Sequence, residues 1–264
     1  VENSAFVVPM AKVMSTFTCG ALLVATAFWA LDSSEKTPIP TQKIAVTHPS
    51  ELYVAPIAEP IFDEERSQFT AISLGDGTWQ GTSSQRLARS ALSLSKLYIA
   101  DYVLSHGTLI ERGMVEPMIR ESNDDMATIL FQRYPESIAE IAKKYHLYST
   151  KPAEHWGYSQ TSSFDVAYFL YQLIRNNPQS PILEWMRTIA PAAADGTEQN
   201  FGTALLNGVE GSKLAWSNDH TLFSSASFGD GYVVVAMVQG DADDLNHYVQ
   251  AQRGSAIAEP PQRN

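Results

Sequence analysis

Ser93-Leu94-Ser95-Lys96 sets a serine and a lysine three positions apart, directly ahead of the apolar run Leu97-Tyr98-Ile99-Ala100. On a helix that spacing puts both side chains on one face, about one turn from each other. A hydroxyl beside an amine is the pairing a serine nucleophile needs before it can attack a carbonyl. The pattern also arises by chance, and Ser33 to Lys36 repeats it in a polar stretch. The surroundings of Ser93 set it apart. With no chemistry attached, Ser93 reads as a helix cap.

Two further motifs follow in order. Ser122-Asn123-Asp124 lies within Met118 to Ala127, and Gly211-Ser212-Lys213-Leu214-Ala215-Trp216 falls on an expected strand with two more strands after it. Together with Ser93 to Ala100 this order resembles the serine β-lactamase and penicillin-binding protein superfamily, in particular its class A-like domains. The superfamily pattern is S-x-x-K, then S-D-N, then K-T-G. The resemblance covers about residues 66 to 253 and implies acyl transfer to a serine. It makes Ser93 the nucleophile, with its own N–H as one oxyanion donor and Ala215 or Trp216 as the other. Lys96, neutral in a dry cleft, would take the serine proton. Ser122 would relay a proton to the leaving nitrogen, and Lys213 would hold Ser122 and attract a substrate carboxylate. Asp124, Leu214 and Ala215 would line the substrate. The implied ligand is a β-lactam or a peptidoglycan stem peptide, with no metal and no cofactor.

The chain departs from that pattern at the substrate-facing positions. Asp124 stands where the superfamily commonly has Asn, and an ionised acid donates no amide hydrogen bond. Leu214 and Ala215 replace Thr and Gly, which removes a hydroxyl and thickens the strand. The segment before Thr161 has no Glu-x-x-Leu-Asn loop, and Glu154, beside His155, is the nearest acid. Loss of the deacylating glutamate implies a slow or stalled acyl-enzyme. The alternative is a catalytically degenerate domain that binds cell-wall peptide or a protein partner. The middle motif can also be a cap alone, since Ser217-Asn218-Asp219 repeats the tripeptide in a turn. Lys213 can likewise be a solvated strand residue.

These motifs need elements to position them. Phe69 to Leu74 reads as a strand, Gly75-Asp76-Gly77 as a turn, and Trp79 to Ser83 as a hairpin partner. A helix should run from Ser93 to about Ser105, stopped by Gly107. Helical patterns follow near 108–120, 123–133, 136–146, 162–176 and 181–189, with Pro135 and Pro181 suited to first turns. Tyr168, Phe169, Leu170, Tyr171 and Leu173 read as core. Gly208 to Trp216, Thr221 to Phe228 and Tyr232 to Gln239 read as strands, with His220 facing solvent in a turn and Gly229-Asp230-Gly231 as a hairpin. A helix from Ala242 to Arg253 closes the domain. Strands, a helical block, strands and one helix predict an α+β fold of the β-lactamase/DD-peptidase type: an antiparallel sheet with a central helical block.

Composition bounds the rest. The 264 residues carry a formal charge of −11, which argues against nucleic acid and offers no basic patch for anionic lipid. Cys19 is the single cysteine, so no intramolecular disulfide can form, and the six histidines show no metal-binding spacing. No Gly-x-Ser-x-Gly elbow occurs. Val13 to Leu31 carries no charge. Its roughly 19 residues, at about 1.5 Å each, come close to spanning a ~30 Å hydrocarbon core. We read it as one N-terminal transmembrane or signal helix, either an uncleaved anchor or a signal cut near Ala25-Thr26-Ala27. Lys12 biases the N-terminus to the inside and the bulk of the chain to the extracytoplasmic side of the cell membrane. Met10, followed by Lys12, is an alternative start. The expected organisation is 1–31 tail and membrane segment, 32–65 Pro-rich spacer, 66–253 domain, and 254–264 tail.

Overall fold

The computed structural model describes residues 65–256. The expected membrane segment, most of the spacer and the last residues of the tail lie outside them. Among the described residues, no helix is long and apolar enough to cross a membrane.

The fold opens with a hairpin of β1 (Ser67–Ser73) and β2 (Trp79–Gly81), whose turn is fixed by the Thr78 N–H donating to Asp76 Oδ1 at 3.1 Å. A two-residue strand, β3 (Arg89–Ser90), precedes the helical block. That block comprises α1 (Lys96–His106), α2 (Leu109–Arg120), α3 (Asp124–Arg133) and α4 (Ser137–Tyr145). After β4 (Gln160–Thr161) it continues with α5 (Ser163–Asn176) and α6 (Pro181–Arg187). The chain then returns as β5 (Val209–Trp216), β6 (Leu222–Gly229) and β7 (Tyr232–Gln239) and ends in α7 (Ala242–Ala256). The expected α+β order holds. Pro181 opens α6 as expected, but Pro135 precedes α4, which starts only at Ser137. The hairpin partner of β1 is shorter than expected, and α7 runs past Arg253.

The main sheet runs β2-β1-β7-β6-β5, antiparallel throughout. Both of its faces are covered, so its central strand, β7, is apolar on both sides. Val233, Val235 and Met237 of β7 enter the core shared with the helical block. Val234, Ala236 and Val238 enter the core on the other face, with Leu245 and Tyr248 of α7. Phe169, Leu170 and Leu173 of α5 are fully buried, as their clustering predicts, while Tyr168 and Tyr171 are only partly covered. Apart from Lys96 and Asp101, the residues α1 buries are apolar or aromatic. It is therefore the central helix of its lobe rather than an amphipathic surface helix.

The small ladder between β3 and β4 has no counterpart in the sequence reading, because two-residue strands carry no periodicity. It matters for position. It draws the 146–161 loop against the turn that carries Ser93, and Ala91 N–H donates to Ser159 O at 2.8 Å to complete the seam.

Candidate active site

Ser93 lies in a 3-10 turn, Leu92–Ser95, that leads into α1. The helix caps are Ala91 and Ser95, so the Ser93 hydroxyl is not used as a cap. At the start of a helix its amide has no intrahelical acceptor and is free to serve a ligand. Leu92, directly before it, holds φ of 50°, and Ser122 holds φ of 51°. Left-handed backbone at residues other than glycine costs about 1–3 kcal/mol and persists where surrounding contacts enforce it. Leu92 adjoins the first motif and Ser122 opens the second; His146 and His220 share this backbone elsewhere.

The side chains converge on one hydroxyl. Lys96 Nζ donates to Ser122 O (2.5 Å), Ser122 Oγ (3.2 Å) and Asp124 Oδ1 (2.5 Å). Lys213 Nζ donates to the same Ser122 Oγ at 2.8 Å and to Leu214 O at 3.1 Å. Both lysines are 0% exposed, so Lys213 is no solvated strand residue. Burial lowers the Lys96 amine below its ordinary value, against the opposing pull of Asp124 and Asp195. Burial, reinforced by the charge of Lys96, holds Lys213 well below its ordinary value. Two buried ammonium groups around one hydroxyl repel, so the geometry favours a neutral amine there.

Asn123, not Ser122, caps α3, accepting from the Met126 N–H at 3.0 Å. The tripeptide thus does both jobs: its middle residue starts the helix while its outer residues face the lysines. The expected Ser93–Lys96 contact is not made as a hydrogen bond. The ammonium group turns toward Ser122 and Asp124, whose carboxylate attracts it.

Strand parity sorts the third motif. Ser217 N–H donates to Leu222 O at 3.0 Å, and β5 pairs Trp216 with Phe223 and Ala215 with Ser224. Hydrogen-bonded pairs alternate in an antiparallel ladder. The backbone groups of Lys213 and Ala215 therefore point into the sheet, and those of Leu214 and Trp216 point to its free edge. That edge packs against the Ser93 turn. Of the two oxyanion donors considered from sequence, Trp216 has the available N–H. Side chains alternate as well. Ala215 joins the core on the helical side, while Leu214 is buried in the core on the far face. Leu214, expected to line the substrate, has no access to it.

Two residues the motifs did not flag complete the site. Trp156 is 5% exposed, and its ring lies 4.6 Å from Lys96 Nζ. Its indole donates to Thr128 Oγ1 (3.1 Å), and its carbonyl accepts from Ser95 Oγ (3.3 Å). Glu154 and His155, the two residues before it, are exposed. Asp195 accepts from the Trp216 indole (3.0 Å) and the Thr197 N–H (2.9 Å), within electrostatic reach of both lysines. Asp195-Gly196-Thr197 is a turn signature of the Asx type, which could have drawn attention to it.

Lys213 carries a stability prediction. Its depressed folded value means the folded chain binds fewer protons than the unfolded chain up to the ordinary lysine value of 10.5. Stability should therefore rise with pH across that window. Lys213→Met is expected to flatten the rise and to add on the order of 1–2 kcal/mol at pH 7, because an apolar isostere needs no hydration. Urea denaturation at a series of pH values checks both effects.

Comparison with solved structures identifies the fold. The chain superposes on penicillin-binding protein D2 from Listeria monocytogenes in its cefotaxime-bound form, with a TM-score of 0.54 and 17% identity, covering 74% of this chain and 97% of that one. It superposes on the D-alanyl-D-alanine carboxypeptidase of Mycobacterium tuberculosis with a TM-score of 0.56 and 16% identity, covering 79% and 97%. For the β-lactamase of Sphaerobacter thermophilus the values are 0.57, 11%, 74% and 93%. No family model and no curated protein matches the sequence. The chain has the fold of these β-lactamases and penicillin-binding proteins, at 11–17% sequence identity.

Proposed function

We propose that this protein is a serine acyl-transfer hydrolase of the β-lactamase/DD-peptidase type, acting on a β-lactam or a peptidoglycan stem peptide. The observation that carries the reading is the Ser122 hydroxyl held between buried Lys96 and Lys213, with Lys96 opening the helix that follows the Ser93 turn. In this reading Ser93 Oγ attacks the amide carbonyl, and its proton passes to neutral Lys96. Ser122 delivers a proton to the leaving nitrogen, with Lys213 orienting the hydroxyl. The amides of Ser93 and Trp216 hold the oxyanion. Water or an amine then resolves the ester. Trp156 covers Lys96 on the side of the 146–161 loop, which supports slow hydrolysis of the acyl-enzyme. The extracytoplasmic, membrane-tethered location read from 13–31 suits a cell-wall substrate and belongs to the same proposal.

One observation favours the second reading, a binding domain without chemistry. All three Lys96 protons are donated, one of them to Asp124, and an amine held that way accepts no proton. Incubation with benzylpenicillin decides between them. We expect a mass increase equal to one intact penicillin, mapped by peptide digestion to Ser93 and absent from Ser93→Ala. An unmodified protein and undiminished drug would leave the binding domain as the better account.

A further inference from the structure

We infer that the site selects acyl donors whose leaving portion is uncharged or cationic, and that Asp195 sets this preference. The inference rests on the acyl-transfer reading of the same site and names its substrate class.

A carboxylate on the substrate needs free cationic donors, and few are present. An ammonium group has three N–H donors. As an ammonium Lys96 commits all three, to Ser122 O, Ser122 Oγ and Asp124 Oδ1, and as the neutral base of the acyl-transfer reading it has no charge to offer. Lys213 commits two, to Ser122 Oγ and Leu214 O, and is fully buried. No other lysine or arginine occurs on β5, β6 or β7. Leu214, next to Lys213, offers no hydroxyl and faces away from the site.

Two anions stand in the open instead. Asp124 keeps 65% of its side chain exposed while paired with Lys96. Asp195 is exposed at the end of β5, its two oxygens fixed by the Trp216 indole and the Thr197 amide. Partial burial opposes ionisation of Asp195, yet these hydrogen bonds and the charge of Lys96 outweigh it and lower its value. Ala194, beside Asp195, donates to Glu121 O at 2.7 Å, directly before Ser122, so Asp195 stands at the rim between the end of β5 and the Ser122 turn. A carboxylate there meets fixed like charges, and the only lysine or arginine on β5, β6 or β7 to answer them is the buried Lys213. An ammonium or amide group meets complementary ones.

The test compares acylation of the full chain by benzylpenicillin and by its 2-aminoethyl amide, followed by intact mass. The cationic amide is expected to react at least ~10-fold faster than the acid, and Asp195→Asn to narrow the ratio to within about threefold. A merely structural role for Asp195 would change both rates alike. A faster free acid, or a ratio unmoved by Asp195→Asn, overturns the inference while leaving acyl transfer standing. Calorimetry on Ser93→Ala, with acetyl-D-alanyl-D-alanine and its C-terminal aminoethyl amide, asks the same question without chemistry. If wild type forms no adduct but the amide binds tighter there, acyl transfer falls and the charge preference survives. Equal or weaker binding of the amide, or binding of neither, overturns it.

Discussion

Lys96→Met is expected to slow acylation of Ser93 by about 10²–10⁴-fold, the range over which a positioned base contributes. The variant removes the amine and keeps most of the apolar stem, so the packing against Trp156 is largely preserved. Loss of the ion pair frees Asp124, which is already exposed and can be hydrated. The fold should therefore survive with a Tm within a few degrees of wild type, and the effect should fall on chemistry. The pH dependence supplies the sign. Only neutral Lys96 accepts a proton, and burial lowers its value from 10.5. The wild-type rate should rise with pH along a limb whose midpoint lies below 10.5, and Lys96→Met should abolish that limb. Time courses of adduct formation between pH 6 and 10 read both effects.

Trp156→Ala is expected to cost about 3–5 kcal/mol of stability, the usual penalty for deleting a buried large aromatic side chain. It also leaves Thr128 without its indole donor. Its second effect is electrostatic. Removing the ring lets water reach Lys96, weakens the burial that depresses the amine, and moves the acylation limb to higher pH. Hydrolysis of the acyl-enzyme should quicken, because the cover over Lys96 is gone. Trp156→Phe separates these contributions: a ring remains over the amine, and only the hydrogen bond to Thr128 is lost, at about 1 kcal/mol. Urea denaturation and the lifetime of the penicillin adduct give the two readouts. An unchanged adduct lifetime in Trp156→Ala would refute the shielding role.

Much of this architecture was legible because its signals are local. The helices of the central block show helical periodicity and stop signals, and β5, β6 and β7 show bounded apolar runs with turn residues between them. Ser93 and Lys96 stand out by their spacing, and Ser122, Asp124 and Lys213 only through the family resemblance; the structure brings both lysines onto the Ser122 hydroxyl and pairs Asp124 with Lys96. The placement of Leu214 was also readable, since neighbours on a strand face opposite ways, but the motif obscured the alternation. Asp195 and Trp156 were a different matter. Each is a single residue in a loop, brought to the lysines by tertiary contacts: Asp195 through the Trp216 indole, Trp156 through the β3–β4 seam. The left-handed backbone at Leu92 and Ser122 had no sequence signal, because neither residue type favours it.

In the acyl-transfer reading, the free edge of β5 would act as a ruler. Its unpaired amides at Leu214 and Trp216 recur every second residue, so they stand about 6.8 Å apart on an antiparallel strand. A carbonyl-bearing chain can match that interval only when it is itself extended, and a coiled or helical segment falls out of phase after one contact. The protein would therefore measure the conformation of a peptide before testing its chemistry: short, unfolded stems would align a scissile amide over Ser93, and the loops of folded proteins would be refused for their shape.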